Sequence, residues 1–271
     1  MEFAMSCQSV NYYDGTVLKT FEDLTDRQLE SALVAAADCS EAWRSRSLAE
    51  RAKVFVKAAG ILTDRLDDFA HTVTLEMGKL LDQSRGEVAL CAHILAYYAK
   101  SGAHLLASRH LKPNGRDTGS NPGADVGALG ILFGVEPWNF PYYQLTRFAA
   151  PNLMAGNVVM VKHAERVPQC ASDFANLWLE AGAPAGAFTN LLISPEQVNR
   201  VIEDPRIKGV ALTGRVHAGK QVANRVDLIR RRSAECSGKD GVAANGGLEF
   251  DHTIQWAVWS DLPGYYGPRI S

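Results

Sequence analysis

Two spacings of apolar residues divide the chain. Over roughly the first hundred positions they recur three and four apart, the period of a helix. Thr25-x-x-Gln28 and Ser47-x-x-Glu50 have capping-box spacing, in which the hydroxyl accepts from an early helix N–H and the amide or carboxylate reaches back. Leu29, Leu33 and Ala36 follow the first box at helical intervals, and Val54, Phe55, Ala58, Ile61 and Leu62 follow the second. Residues 84–107 (SRGEVALCAHILAYYAKSGAHLLA) continue as a long amphipathic helix. Residues 112–123 (KPNGRDTGSNPG) then crowd turn formers into a loop or a protruding hairpin. The first third is therefore read as helical.

The pattern changes beyond that loop. Short apolar runs with β-branched residues occupy 126–135, 158–162, 188–193 and 207–213, and helical stretches near 143–155, 168–181, 195–203 and 216–226 alternate with them. Such alternation reads as parallel βαβ units and predicts an α/β fold, a doubly wound parallel sheet covered on both faces. Ligands of these sheets bind beyond the carboxyl ends of the strands, so candidate chemistry is sought there.

Composition narrows the classes without naming one. With 271 residues and 46% hydrophobic content the chain can bury a full core in one large or two small domains. Its 28 Lys+Arg against 30 Asp+Glu leave a net charge of −2, which gives no electrostatic case for nucleic acid or an anionic membrane as partner. The longest apolar run, 126–135, is half the length of a spanning helix and ends at Glu136. The N-terminal MEFAMSCQSVNYYDG has no basic segment followed by an apolar one, so a cytoplasmic rather than secreted protein is expected. Five scattered cysteines without C-x-x-C spacing indicate neither a disulfide frame nor a metal site.

Three strand ends carry polar residues. After 126–135 come Pro137, Trp138, Asn139, Phe140 and Pro141, a turn stiffened by two prolines. The Asn139 amide is a donor that does not titrate and so suits a developing oxyanion, although a lone Asn in a turn is most simply tied to backbone. The run 158–162 ends in Lys162, His163, Ala164 and Glu165. Lys162 and Glu165 are placed to hold ribose hydroxyls from two sides, or else form an exposed charged loop; His163 reads as a surface or capping histidine. The run 207–213 ends in Thr213-Gly214-Arg215, where a Gly just past a strand and opening a helix lets backbone approach a phosphate.

In this order and spacing the segments resemble the aldehyde dehydrogenase superfamily, most closely its succinate-semialdehyde dehydrogenases. The resemblance starts near NYYDGTVLKTF at 11–21. It takes in Glu76-Met77-Gly78-Lys79, PWNFP at 137–141, LMAGNVVMVKHAE at 153–165, GAPAGAF at 182–188 and VALTG at 210–214, and returns at HTIQWAVW, 252–259. It implies residues 1–111 as the N-terminal helical part of a cofactor domain and 112–125 as a bridging segment used for homo-oligomerisation. It implies 126–234 as the NAD-binding αβ core and 235–271 as the start of a truncated catalytic domain.

The resemblance also implies roles. Asn139 matches the oxyanion-hole asparagine, and Pro137 and Trp138 line the cofactor groove. Lys162 and Glu165 match the pair on the adenosine ribose, where the carboxylate would repel a 2′-phosphate and favour NAD over NADP. Thr213 and Gly214 match the pyrophosphate turn, and Glu235 the general base. Arg147 falls where these enzymes pair an arginine with the substrate carboxylate, a group that guanidinium recognises in bidentate fashion; a helix-surface ion pair is the other reading.

Departures follow residue 214. Arg215 replaces a small hydroxyl residue, Ser237 a glycine, and GVAANGG at 241–247 a continuous apolar strand. Cys236 stands where the family has leucine and reads as a small buried hydrophobe. The family's reaction needs a thiolate to attack the aldehyde and a glutamate to activate water on the thioester. Its nucleophile position falls near Arg269, and no cysteine follows Cys236. The expectation is an NAD-dependent succinate-semialdehyde dehydrogenase by descent that lacks activity as this chain. The alternatives are a nucleotide-binding remnant or a fragment acting only through association.

Overall fold

A computed structural model describes residues 6–107 and 127–215 together with the short strands at 109–110, 123–124, 243–244 and 253–259. The chain opens on β1 (Ser6–Val10) and β2 (Val17–Glu22), paired antiparallel. This hairpin corrects the reading of the whole first third as helical. Its period-2 signal is absent because β2 buries only Phe21, so no alternation of apolar and polar residues marks it.

Both capping boxes form. Thr25 caps α1 (Asp26–Arg44) and Ser47 caps α2 (Leu48–Asp64), each with the reciprocal bond from Gln28 or Glu50. A further helix, α3 (Leu66–Met77), precedes α4 (Leu81–Leu105). Buried Arg51 of α2 closes two helix ends at once. Its guanidinium donates to the carbonyls of Trp43, Arg44 and Arg46 at the end of α1 and to that of Met154. Strands β3 (Arg109–His110) and β4 (Gly123–Ala124) pair antiparallel at the base of the expected hairpin, whose remaining residues lie outside the described ones.

The βαβ expectation holds for β5 (Ile131–Glu136), α5 (Pro141–Ala155), β6 (Val158–His163), α6 (Pro168–Glu180), β7 (Phe188–Asn190), α7 (Pro195–Glu203) and β8 (Ile207–Arg215). The helix expected at 216–226 lies outside the described residues. Strand β5 starts later than its apolar run because Asn157 Oδ1 accepts from the N–H groups of Leu129 and Gly130 and holds them as a loop.

The four strands are parallel in the order β7-β6-β5-β8. Two antiparallel strands, β9 (Ala243–Ala244) and β10 (Thr253–Trp259), extend the sheet beyond β8. The expected parallel sheet is thus present at the centre, with two antiparallel strands added at one side.

Helices α5 and α6 pack on the sheet and carry α2, α3 and α4 as a second layer. Phe55, Phe69, Tyr142, Phe174 and Trp178 interlock there at centroid distances of 5.0–6.4 Å. Helices α1 and α7 are joined by ion pairs from Asp26 to Arg200 and from Glu30 to Arg206, just beyond α7.

Candidate functional site

Strand order reverses between β5 and β8, because the chain steps from β5 to β6 to β7 in one direction and returns across the sheet to β8. Connections leaving the two strands therefore diverge and open a crevice at their carboxyl ends. Val135 lies opposite Leu212 in this pair, which places Glu136 and Thr213 together at the mouth.

The Glu136 carboxyl is buried and bonded to Thr213, and burial pushes its pKa up to about 8 against the opposing effects of Arg147 and Thr213. Arg147, two turns into α5, donates from Nη2 to Thr213 Oγ1 at 2.7 Å. Arg147 is half-buried and engaged at the strand end, close enough to act on the Glu136 carboxyl. The other residues of the first turn are also in place. Trp138 is exposed, Pro137 and Asn139 are half-buried, and Asn139 Oδ1 accepts from Gln144 Nε2 at 3.4 Å. That leaves the Nδ2 end of the Asn139 amide as the donor suited to an oxyanion.

The ends of β6 and β7 form a second part of the site, a small cleft. Lys162, Glu165, Asn190 and Ile193 line it from the strand ends, and Cys7 and Asp23 from the N-terminal hairpin. Lys162 Nζ lies 3.0 Å from Glu165 Oε1, so the predicted pair is assembled, with its charges turned toward each other. Asp23 is raised by burial and by the nearby Glu165 carboxylate, and Lys162 works the other way. Cys7 donates to the Glu165 carbonyl at 2.8 Å, and burial with the same carboxylate pushes its thiol to about 11. Asp23 and Cys7 were not predicted, since only the unread hairpin brings them to this cleft.

His163 is not on the surface. Register pairs it with Glu136, and Nδ1 of its buried ring donates to the Glu136 carbonyl at 3.1 Å. Burial lowers its pKa to about 4, so the ring is neutral. The ring's burial is set by the register of β6 against β5, which no local spacing shows.

Thr213 stands at the mouth of the crevice, and Gly214 lies within β8 rather than just past its end. Strand β8 continues through Arg215, because β10 pairs Gln255, Ile254 and Thr253 with Thr213, Gly214 and Arg215. Glu235 and Cys236 lie outside the described residues. Among those residues no helix is long and apolar enough to cross a membrane.

Comparison with known proteins agrees with this geometry. The model of the aldehyde dehydrogenase family matches residues 3–263. A succinate-semialdehyde dehydrogenase (NADP+) of Deinococcus radiodurans is 38% identical over 259 residues, covering 94% of this chain and 53% of its own length. A probable succinate-semialdehyde dehydrogenase (NADP+) of a Synechocystis strain is 34% identical over 255 residues, covering 94% and 55%. The crystal structure of succinic semialdehyde dehydrogenase from Streptococcus pyogenes with NADP+ superposes with a TM-score of 0.78 at 40% identity, over 82% of this chain and 48% of that one. The chain spans about half the length of the curated relatives it matches. The family model spans nearly the whole chain, and this chain belongs to the aldehyde dehydrogenase family.

Proposed function

We propose that the chain is the dinucleotide-binding half of an aldehyde-oxidising enzyme of the succinate-semialdehyde type, and that as these 271 residues it binds the dinucleotide without turning over aldehyde. The observation that carries this reading is the continuous row of polar groups along the carboxyl ends of the parallel strands. The Lys162–Glu165 cleft stands at one end and the Thr213–Arg147–Glu136 network at the topological switch.

Lys162, Glu165 and the cleft around them suit an adenosine ribose; Thr213 and Gly214 suit the pyrophosphate; Pro137 and Trp138 flank the nicotinamide end. When bound, the nicotinamide accepts hydride from the substrate carbon. The Asn139 amide stands ready to hold an oxyanion at that end. Arg147, already engaged by Thr213, braces the pyrophosphate turn, and selection of an acid-bearing aldehyde by this side chain requires its release from Thr213.

Glu165 and Asp23 set two carboxylates against the single ammonium of Lys162 at the ribose, which favours a 2′-hydroxyl over a 2′-phosphate. The relatives' names carry NADP+, so the two dinucleotides are compared directly. The absence of turnover rests on the sequence, in which no cysteine stands near Arg269, where the resemblance places the nucleophile. Burial raises the pKa of all four described cysteines, Cys91 to about 12 and Cys7 to about 11, which keeps them protonated and poorly nucleophilic at neutral pH.

Titration of the protein with NAD and with NADP, followed by tryptophan fluorescence and calorimetry, tests the reading. Saturable binding of at least one dinucleotide is expected, tighter for NAD, with no NADH or NADPH formed from succinate semialdehyde above a heat-treated control. Flat titrations at millimolar concentration refute dinucleotide binding, and turnover refutes the inactivity.

A further inference from the structure

The segment Glu76-Met77-Gly78-Lys79 carries the family resemblance but supplies none of the polar groups named at the strand ends. Its contacts explain why it is there. Glu76, in the last turn of α3, is almost fully buried and reaches across to the start of α6. Its two carboxylate oxygens accept from Gln169 N–H and Cys170 N–H, both at 2.9 Å. Helix α6 begins at Pro168 with no side-chain cap of its own, directly after the turn that bears Lys162 and Glu165. Glu76 therefore supplies the missing cap and the negative charge that a helix N-terminus favours.

Three residues later the same device recurs. Lys79 is ion-paired with Glu87 of α4, and both side chains are buried, at 7% and 1% exposure. Glu87 Oε1 accepts from Tyr142 N–H at 2.9 Å and Tyr143 N–H at 3.1 Å, the first turn of α5. Helix α5 also begins on a proline without its own side-chain cap, directly after the turn that bears Trp138 and Asn139. Lys79 Nζ sits 3.7 Å from the centre of the Phe140 ring in that turn.

Gly78 makes the divergence of Glu76 and Lys79 geometrically feasible. It ends α3 in the left-handed conformation at φ 75°, and a Cβ there would stand 2.3 Å from the Tyr12 ring. Any side chain at this reversal would be strained and would collide with the hairpin.

We propose that Glu76 and the Lys79–Glu87 pair are positioning residues, and that the tetrapeptide sets the spacing between the turns for the two ends of the dinucleotide. This inference rests on the dinucleotide reading given above. The Glu76 arm holds the adenosine end and the Lys79–Glu87 arm the nicotinamide end.

Amide hydrogen exchange read by mass spectrometry, together with 5′-AMP titration, separates the two arms in the full chain. E76Q is expected to speed exchange at Gln169 and Cys170 and weaken 5′-AMP about tenfold, with Tyr142 and Tyr143 unchanged. E87Q and K79M should do the reverse. Tyr142 and Tyr143 exchange faster, and acrylamide quenches Trp138 more readily (read against W138F), while 5′-AMP affinity stays within about twofold. K79R should restore most of the protection, and G78A should loosen both turns.

Equal loosening of both turns by E76Q and E87Q, in proportion to their loss of thermal stability, would overturn the proposal in favour of general structural support. Unchanged exchange in both variants overturns it as well. Wild-type protein that binds neither 5′-AMP nor NAD refutes the dinucleotide reading instead, and the crossed exchange pattern still decides whether the two arms act separately.

Discussion

Acid acts in opposite directions on the two buried groups where β5 and β6 end. His163 falls from an ordinary 6.5 to about 4, and Glu136 rises from 4.5 to about 8, both through burial first. In the window between 6.5 and 4 the unfolded histidine binds more protons than the folded one. Stability contributed by neutral His163 is therefore lost as pH falls. In the window between 4.5 and 8 the folded Glu136 binds more protons than the unfolded one, and stability is lost as pH rises. Integrated between about pH 7.5 and about pH 4.5, the histidine removes about 2.5 kcal/mol on acidification and the carboxyl returns about 3.5 kcal/mol.

The two effects largely offset in the native protein and are exposed by substitution. H163N removes the first, so its stability relative to wild type should improve by about 2.5 kcal/mol over that acidification. E136Q removes the second and should move the opposite way by about 3.5 kcal/mol. Urea unfolding followed by far-ultraviolet circular dichroism at four or so pH values between these limits measures both. Titration of exposed carboxylates is common to all three proteins and cancels in the differences. Stability–pH curves parallel within about 0.5 kcal/mol would refute the assignment of a neutral His163 beside a protonated Glu136.

Three further outcomes follow from particular contacts. R51M strips the donor from carbonyls at the ends of α1 and α5 and should cost about 3 kcal/mol, read as a lower urea midpoint at unchanged slope. G186A forces a side chain onto a backbone at φ 91° with its Cβ 2.6 Å from the Ala35 carbonyl oxygen, and should lower stability by more than about 2 kcal/mol in a thermal melt. R147K keeps the charge but loses the Nη2 bond to Thr213, so dinucleotide affinity should fall about tenfold by calorimetry with little change in melting temperature.

Local features of the chain were legible without a structure. A capping box is complete within four residues, so Thr25 and Ser47 announced α1 and α2. Alternating apolar runs and helical stretches were enough for the βαβ order, and hence for the strand ends where Lys162, Glu165 and Thr213 lie. The hairpin at 6–22 was not legible, because a strand that buries one side chain has no periodic signature.

Facing and partnership were decided only in three dimensions. Whether His163 met solvent or Glu136 depended on the register of β6 against β5, and Arg147 became a brace for Thr213 only when β8 was laid beside β5. The caps of α5 and α6 come from carboxylates 55 and 93 residues away from the amides they hold. No local spacing encodes such a pair. The sequence by itself determined the capped helices α1 and α2 and the alternation of strands and helices from β5 to β8, since those depend on neighbours a few residues apart. Which buried carboxylate satisfies which helix end depends on packing between distant segments, and only the tertiary structure decided it.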